Sequence, residues 1–180
     1  MTIRAFSVFL ILSTAFSCGV VESEKAPSAE LEEIALQVIK EGTFQYSEKG
    51  KIKNVLHAGR LERWKSDGSS TEIWRVSDGF ILYIEGDGEV HEAVLSGGRG
   101  TYNADLGHLV AHDDVELINH EGEKLNTEYL VWSNDSDRVH TNRPVSIETK
   151  TGTLQGNGLE ADSKFENYRI LNPTGAFELP

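Results

Sequence analysis

The chain has one cysteine, Cys18, so no internal disulfide can staple it. It is also short of basic residues: 17 Lys and Arg stand against 29 Asp and Glu, a formal charge of −12. That balance excludes a nucleic-acid surface, which needs a basic face to displace counterions. It equally excludes adhesion to an anionic leaflet through Lys/Arg clusters. The acids are spread along the chain, so they read as solvation and not as a binding tail. Hydrophobic residues make up only 38%, little for a thick core but enough for a thin stack of two sheets. Prolines are few, four against seventeen glycines. Runs such as Ser66-Asp67-Gly68 and Asp87-Gly88 mark frequent turns between short apolar stretches, the pattern of an all-β chain.

The N-terminus carries one positive charge, Arg4, followed by apolar or small residues over 5–21. This reads as a secretory leader or a marginal single span, since a transmembrane helix wants about 20 apolar residues. Cys18 stands near the end of the run behind Ala15-Phe16-Ser17, in the manner of a bacterial lipoprotein cleavage site. Leu is usual where Ala15 stands, and Phe16 is bulky for such a site. Lipidated Cys18, an uncleaved span and simple secretion all place the residues after 21 outside a bacterial cytoplasm. Residues 22–42 read as an acidic tether around Pro27-Ser28. Within it Leu31, Ile34, Ala35 and Val38 recur at helical spacing, and Gly42 could end a short helix, although Val38-Ile39 would also suit a strand.

From Thr43 onward the chain repeats itself. An apolar residue, four or five mostly polar residues and another apolar residue recur as Val110 to Val115, Leu125 to Leu130, Val139 to Val145, Leu154 to Leu159 and Phe165 to Ile170. The units start 15, 14, 15 and 11 residues apart, about one strand, a bend and a turn each. A longer echo joins Phe44-Gln-Tyr46, Gly50 and Leu56 to Leu82-Tyr-Ile84, Gly88 and Leu95, with bends expected at Gly59 and Gly98. Units this short cannot bury an apolar face alone, so they must stack as rungs with apolar residues between two layers. Such a stack ends in unpaired strand edges.

Residues 122–132 (GEKLNTEYLVW), then Asp137-Arg-Val139 and Pro144-Val145, then Gly156-Asn-Gly-Leu-Glu-Ala-Asp162 and Asn167-Tyr-Arg-Ile170, resemble the LptC family. The likeness covers roughly residues 43–171 and is specific in combination, each piece being weak alone. It implies a twisted β-jellyroll of stacked antiparallel strands, open at both ends, over residues 43–172, with an N-terminal membrane anchor segment over 1–21 and a tail over 173–180. It further implies a non-enzymatic component of lipopolysaccharide export on the periplasmic side of the inner membrane. Such a protein would hold lipid A acyl chains between its sheets, receive them from the LptBFG transporter and pass them to an LptA-like bridge protein. Members usually keep an N-terminal span, whereas Cys18 suggests lipidation. The following Gly19 is neutral and leaves open which membrane holds the anchor.

On this reading Phe80, Leu82, Leu95, Val110, Val115, Leu117, Leu125, Leu130, Val139, Val145, Ile147 and Leu154 line an apolar slot. Acyl chains enter because burying each CH2 yields about 0.8 kcal/mol. Phe165, Tyr168, Arg169 and Ile170 would form the partner edge, with Pro173 limiting its extension.

Other chemistry is weakly supported. Asp113 and Asp114 are neighbours on a strand, whose side chains point to opposite faces. His108 and His112 would lie about 13 Å apart on a strand, too far to share a metal with Asp113. His57, His91, His120 and His140 sit among polar residues and are expected at the surface. Gly-x-Ser-x-Gly and phosphate-loop motifs are absent, and no cofactor or metal is expected. Gly59, Gly156 and Gly158 read as bends needing positive φ. Trp64, Trp74 and Trp132 read as ordinary sheet packing in preference to a lining of the lipid groove. The rival reading is a surface or periplasmic lipoprotein with a structural role or binding polysaccharide through Trp64, Trp74 and Tyr102.

Overall fold

A computed structural model describes residues 35–65, 71–87 and 89–175. Ten strands form one antiparallel sheet: β1 (Gln37–Glu48), β2 (Lys51–Lys65), β3 (Glu72–Ile84), β4 (Ala93–Gly97), β5 (Arg99–Asn103), β6 (His108–Asn119), β7 (Lys124–Ser133), β8 (Arg138–Thr149), β9 (Gly152–Asp162) and β10 (Tyr168–Thr174). Neighbours in sequence are neighbours in the sheet, with β4 and β5 acting as one rung broken at Gly98 and both pairing β3 and β6. No helix occurs among the described residues. The helix considered over the tether is therefore a correction where it can be seen: residues 37–42 are the start of β1, paired through Val38–Glu62 and Ile39–Leu61. Helical spacing of so few apolar residues yields to an available strand partner. Leu31, Ile34 and Cys18 lie outside the described residues.

A line of irregularities crosses every rung and folds the sheet on itself. Gly59 faces the two residues Asp78 and Gly79, Glu128 faces Asp113 and Asp114, and Gly158 faces Asn142 and Arg143. An extra residue on one strand bends it and strengthens its twist. Several of the bend residues have positive φ: Glu41 (52°), Asp78 (61°), Gly79 (83°), Asp113 (65°), Asp114 (50°) and Gly158 (88°). Glycine takes that conformation freely, and aspartate tolerates it better than most residues. The polar stretch inside each sequence unit is this crease, which is why Leu125 and Leu130, Val139 and Val145, and Leu154 and Leu159 straddle it.

The two half-sheets share one core. Leu82, Leu95, Leu117, Leu125 and Ile147 on one side of the crease join Val76, Leu109, Leu130, Val139 and Leu159 on the other. Burying each such side chain is worth about 1.5–3 kcal/mol. The result is an all-β, jellyroll-like fold. Among the described residues strand structure begins at Gln37 and runs to Thr174, with Pro173 and Thr174 belonging to the last strand.

Candidate functional site

The interior differs between its two ends. At the C-terminal end it is closed: Leu125, Leu130, Ile147, Leu159 and Phe165 are all fully buried. Phe165 sits in the β9–β10 turn with positive φ (58°), and its ring stacks on Tyr168 with centroids 4.7 Å apart. Its carbonyl accepts a 3.0 Å hydrogen bond from Asn119 Nδ2. Phe165 is thus a plug and not part of the edge strand, a correction to its expected place. The repeat spacing contracts to 11 residues just here, and that contraction signals a turn.

At the N-terminal end the half-sheets part around a cavity of about 280 Å³ whose walls include Phe44, Leu56, Trp74, Tyr102 and Trp132. That is just below the range of ligand sites, roughly 300–1,000 Å³, and suits one apolar chain segment better than several. Burial, with smaller contributions from Asp135 and Tyr46, pushes the pKa of the Tyr102 phenol up. Phe44, Leu56, Trp74 and Tyr102 are only partly buried, unlike the apolar residues of the closed end. They form the mouth.

Ten of the twelve expected slot residues, Phe80, Leu82, Leu95, Val115, Leu117, Leu125, Leu130, Val139, Val145 and Ile147, are buried in the shared core, and Leu154 packs against it. Leu82 is the one among them that borders the cavity. Val110 is a correction. On β6 the core positions are Leu109 and Ala111, so Val110, half-buried, falls on the opposite face by the two-residue period of a strand. The sequence unit starting at Val110 was one residue out of phase, because Leu109 and Val110 are both apolar.

Among the described residues the outer strands β1 and β10 each pair on one side only. On β10, Tyr168 and Ile170 turn toward the core, while Arg169 and Leu171 are exposed. Arg169 donates to Glu160 at 2.7 Å. Tyr168 is partly dry; burial first, and Glu123 second, raise its pKa.

The other residues singled out take structural parts. Asp113 receives Arg99 through both guanidinium branches, and that hydrogen bonding holds its carboxyl below the usual range. Trp64 lies under the Arg75 guanidinium (4.4 Å to the ring centre) and donates to Glu62 at 3.1 Å. One face of its ring is thereby covered, which makes it a poorer sugar platform. Hydrogen bonding from Arg60 lowers the pKa of Glu62. His57, His120 and His140 are exposed, but His91 is half-buried and tilted against Tyr83, 5.0 Å between ring centres. Of the three glycines read as bends, only Gly158 has positive φ. Gly59 and Gly156 are required by close approach: a Cβ would lie 2.3 Å from Asp78 O and from Ile170 Cγ2 respectively.

A creased antiparallel sheet with one shared internal core and an apolar mouth defines a class of jellyroll-like all-β proteins, here open at one end and not, as expected, at both, because Phe165 and its neighbours fill the other. The family described as Lipopolysaccharide-assembly, LptC-related matches residues 5–176, and the chain belongs to it. Membership assigns it a transport-associated, non-enzymatic part in lipopolysaccharide export at the cell envelope. No curated protein matches the chain significantly. No helix among the described residues is long and apolar enough to cross a membrane.

Proposed function

We propose that the chain is a passive lipid A carrier that admits an acyl chain at the mouth between Phe44, Leu56, Trp74 and Tyr102. The observation that carries this is the apolar cavity between half-sheets at one end of a chain in the LptC-related family. No bond is made or broken, so direction must come from an energised transporter, the LptBFG complex. Deeper passage along Leu95, Val115 and Ile147 requires the half-sheets to separate, because these three are at most 1% exposed. A photo-crosslinking residue at Leu56 or Trp74 is expected to capture lipopolysaccharide in cells that are making it, and one at Ile147 much less. Absence of any lipid adduct at both mouth positions would overturn the reading. Residues 1–21 would supply the anchor on the inner membrane, through lipidated Cys18 or an uncleaved span.

The unpaired edge of β10 supports a handover by strand addition to an LptA-like partner, in which main-chain hydrogen bonds provide affinity without demanding side-chain specificity. Tyr168 and Ile170 pack on the core, so a block placed there would disturb the fold. Arg169→Lys with Leu171→Lys spares the core side chains, keeps the Arg169 backbone N–H that pairs β10 with β9, and lines the edge with lysines, which disfavour strand addition. This double variant is expected to lose bridge-protein pull-down with its β-sheet circular dichroism retained; unchanged pull-down would rule strand addition out. Polysaccharide binding is the less supported reading, since one face of Trp64 is covered by Arg75 and Trp74 and Tyr102 line the apolar mouth.

A further inference from the structure

Three turns distant in sequence meet beside the closed end of the core. Ala93 pairs with Asn119 across β4 and β6, which sets the preceding Glu92 close to His120. From the β9–β10 turn, Glu166 brings Oε1 to 3.6 Å from His120 Nδ1. Ligand atoms of Glu92, His120 and Glu166 all lie within 4.8 Å of one another. The 3.6 Å separation is too long for a hydrogen bond, so the imidazole does not bind Glu166 tightly. Nor does a described ion pair bring Lys or Arg to Glu92 or Glu166: Lys124 serves Glu116 and Glu148, Lys150 serves Glu121, and Arg169 serves Glu160. Two carboxylates therefore face one imidazole with no Lys or Arg among the described residues ion-paired to either, an arrangement that an added cation would relieve.

We propose that Glu92, His120 and Glu166 form a binding site for a divalent transition metal of the zinc type. Imidazole with carboxylates suits zinc and its neighbours, whereas magnesium and calcium prefer all-oxygen sets. Three protein ligands leave a fourth position for water. Bonds of about 2.0–2.2 Å place tetrahedral ligands roughly 3.4 Å apart. His120 and Glu166 are exposed and Glu92 is half-buried, so small rotamer changes suffice to close the gap. A polar hollow lined by Asn119, His120, Glu123 and Glu166 gives the ion access.

The position gives the metal a consequence. Glu166 directly follows the plug residue Phe165, and His120 directly follows Asn119, which already holds the Phe165 carbonyl at 3.0 Å. An ion bridging Glu166 and His120 fastens the plug to the β6–β7 turn, and bridging to Glu92 adds the β3–β4 turn. Metal occupancy thereby strengthens the closed end of the core.

The test is zinc titration of the detergent-solubilised full chain, free of any histidine tag, by calorimetry, with cobalt(II) absorption as a second readout. One zinc per chain is expected, with the intense visible bands of four-coordinate cobalt. Glu92→Gln, His120→Ala and Glu166→Gln should each weaken binding by more than about 10-fold, the loss seen even when only a ligand's supporting hydrogen-bond partner is removed. His140→Ala, on an exposed histidine outside the cluster, should leave binding unchanged. Zinc should also raise the Tm of the native chain but not of His120→Ala, as expected when a ligand binds only the folded state. Failure to bind zinc, or equal binding by the variant carrying all three substitutions, overturns the site.

Discussion

Replacing Leu125 by alanine is expected to lower the unfolding free energy by about 3 kcal/mol, and replacing Leu56 by less than about 1 kcal/mol. Leu125 is fully buried at the closed end. Its truncation loses the transfer energy of the missing groups and leaves a hole that rigid neighbours on both half-sheets cannot fill. Leu56 lines the mouth and is only partly buried. There the existing cavity simply enlarges, and water already reaches its rim. Urea unfolding followed by tryptophan fluorescence gives both numbers. Equal losses at the two sites would show that the mouth is packed like the rest of the core, and the distinction between a carrier end and a closed end would fail. Affinity for an acyl chain should move the opposite way, with Leu56→Ala weakening binding while stability barely changes.

The second large effect belongs to the crease. Gly59→Ala is expected to cost about 3 kcal/mol, through overpacking, although its φ is ordinary. The added Cβ would sit 2.3 Å from the Asp78 carbonyl oxygen, which is backbone and cannot rotate away. Gly50 is the informative comparison. It has φ of +78° in the β1–β2 turn and nothing within 4 Å of a built Cβ. Gly50→Ala therefore carries only the left-handed strain, about 1–2 kcal/mol. Thermal and urea unfolding of the two variants separates crowding from backbone strain. A Gly59→Ala protein as stable as the parent would mean that β2 and β3 can slide apart at the bend, and the crease would not be a rigid corner.

The rungs themselves were legible in the chain. Short apolar stretches alternating with glycine and aspartate turns left strands as the one consistent assignment, and the bends at Gly59 and Gly98 fall where the longer echo placed them. Reading the interior was harder. Leu109-Val110 offers two adjacent apolar residues, and a two-residue period cannot say which one faces inward until the partner strand is known. The Asp113-Asp114 bulge compounds this, because extra residues break simple alternation. Phe165 matched an apolar repeat position, yet the contracted unit made it a turn residue whose ring fills the end of the core. Residues 37–42 read both ways, and pairing with β2 decided for strand.

Composition and spacing alone determined that this chain would be an acidic, disulfide-free stack of antiparallel strands, because period-two alternation and turn chemistry are local properties of the backbone. Family likeness was also carried by local runs of residues. Tertiary structure alone decided that one end of the core is shut while the other opens, since that depends on how two half-sheets diverge over many rungs. It alone brought Glu92, His120 and Glu166 together: they lie on three separate turns, and only the order in which strands pair can place such turns side by side.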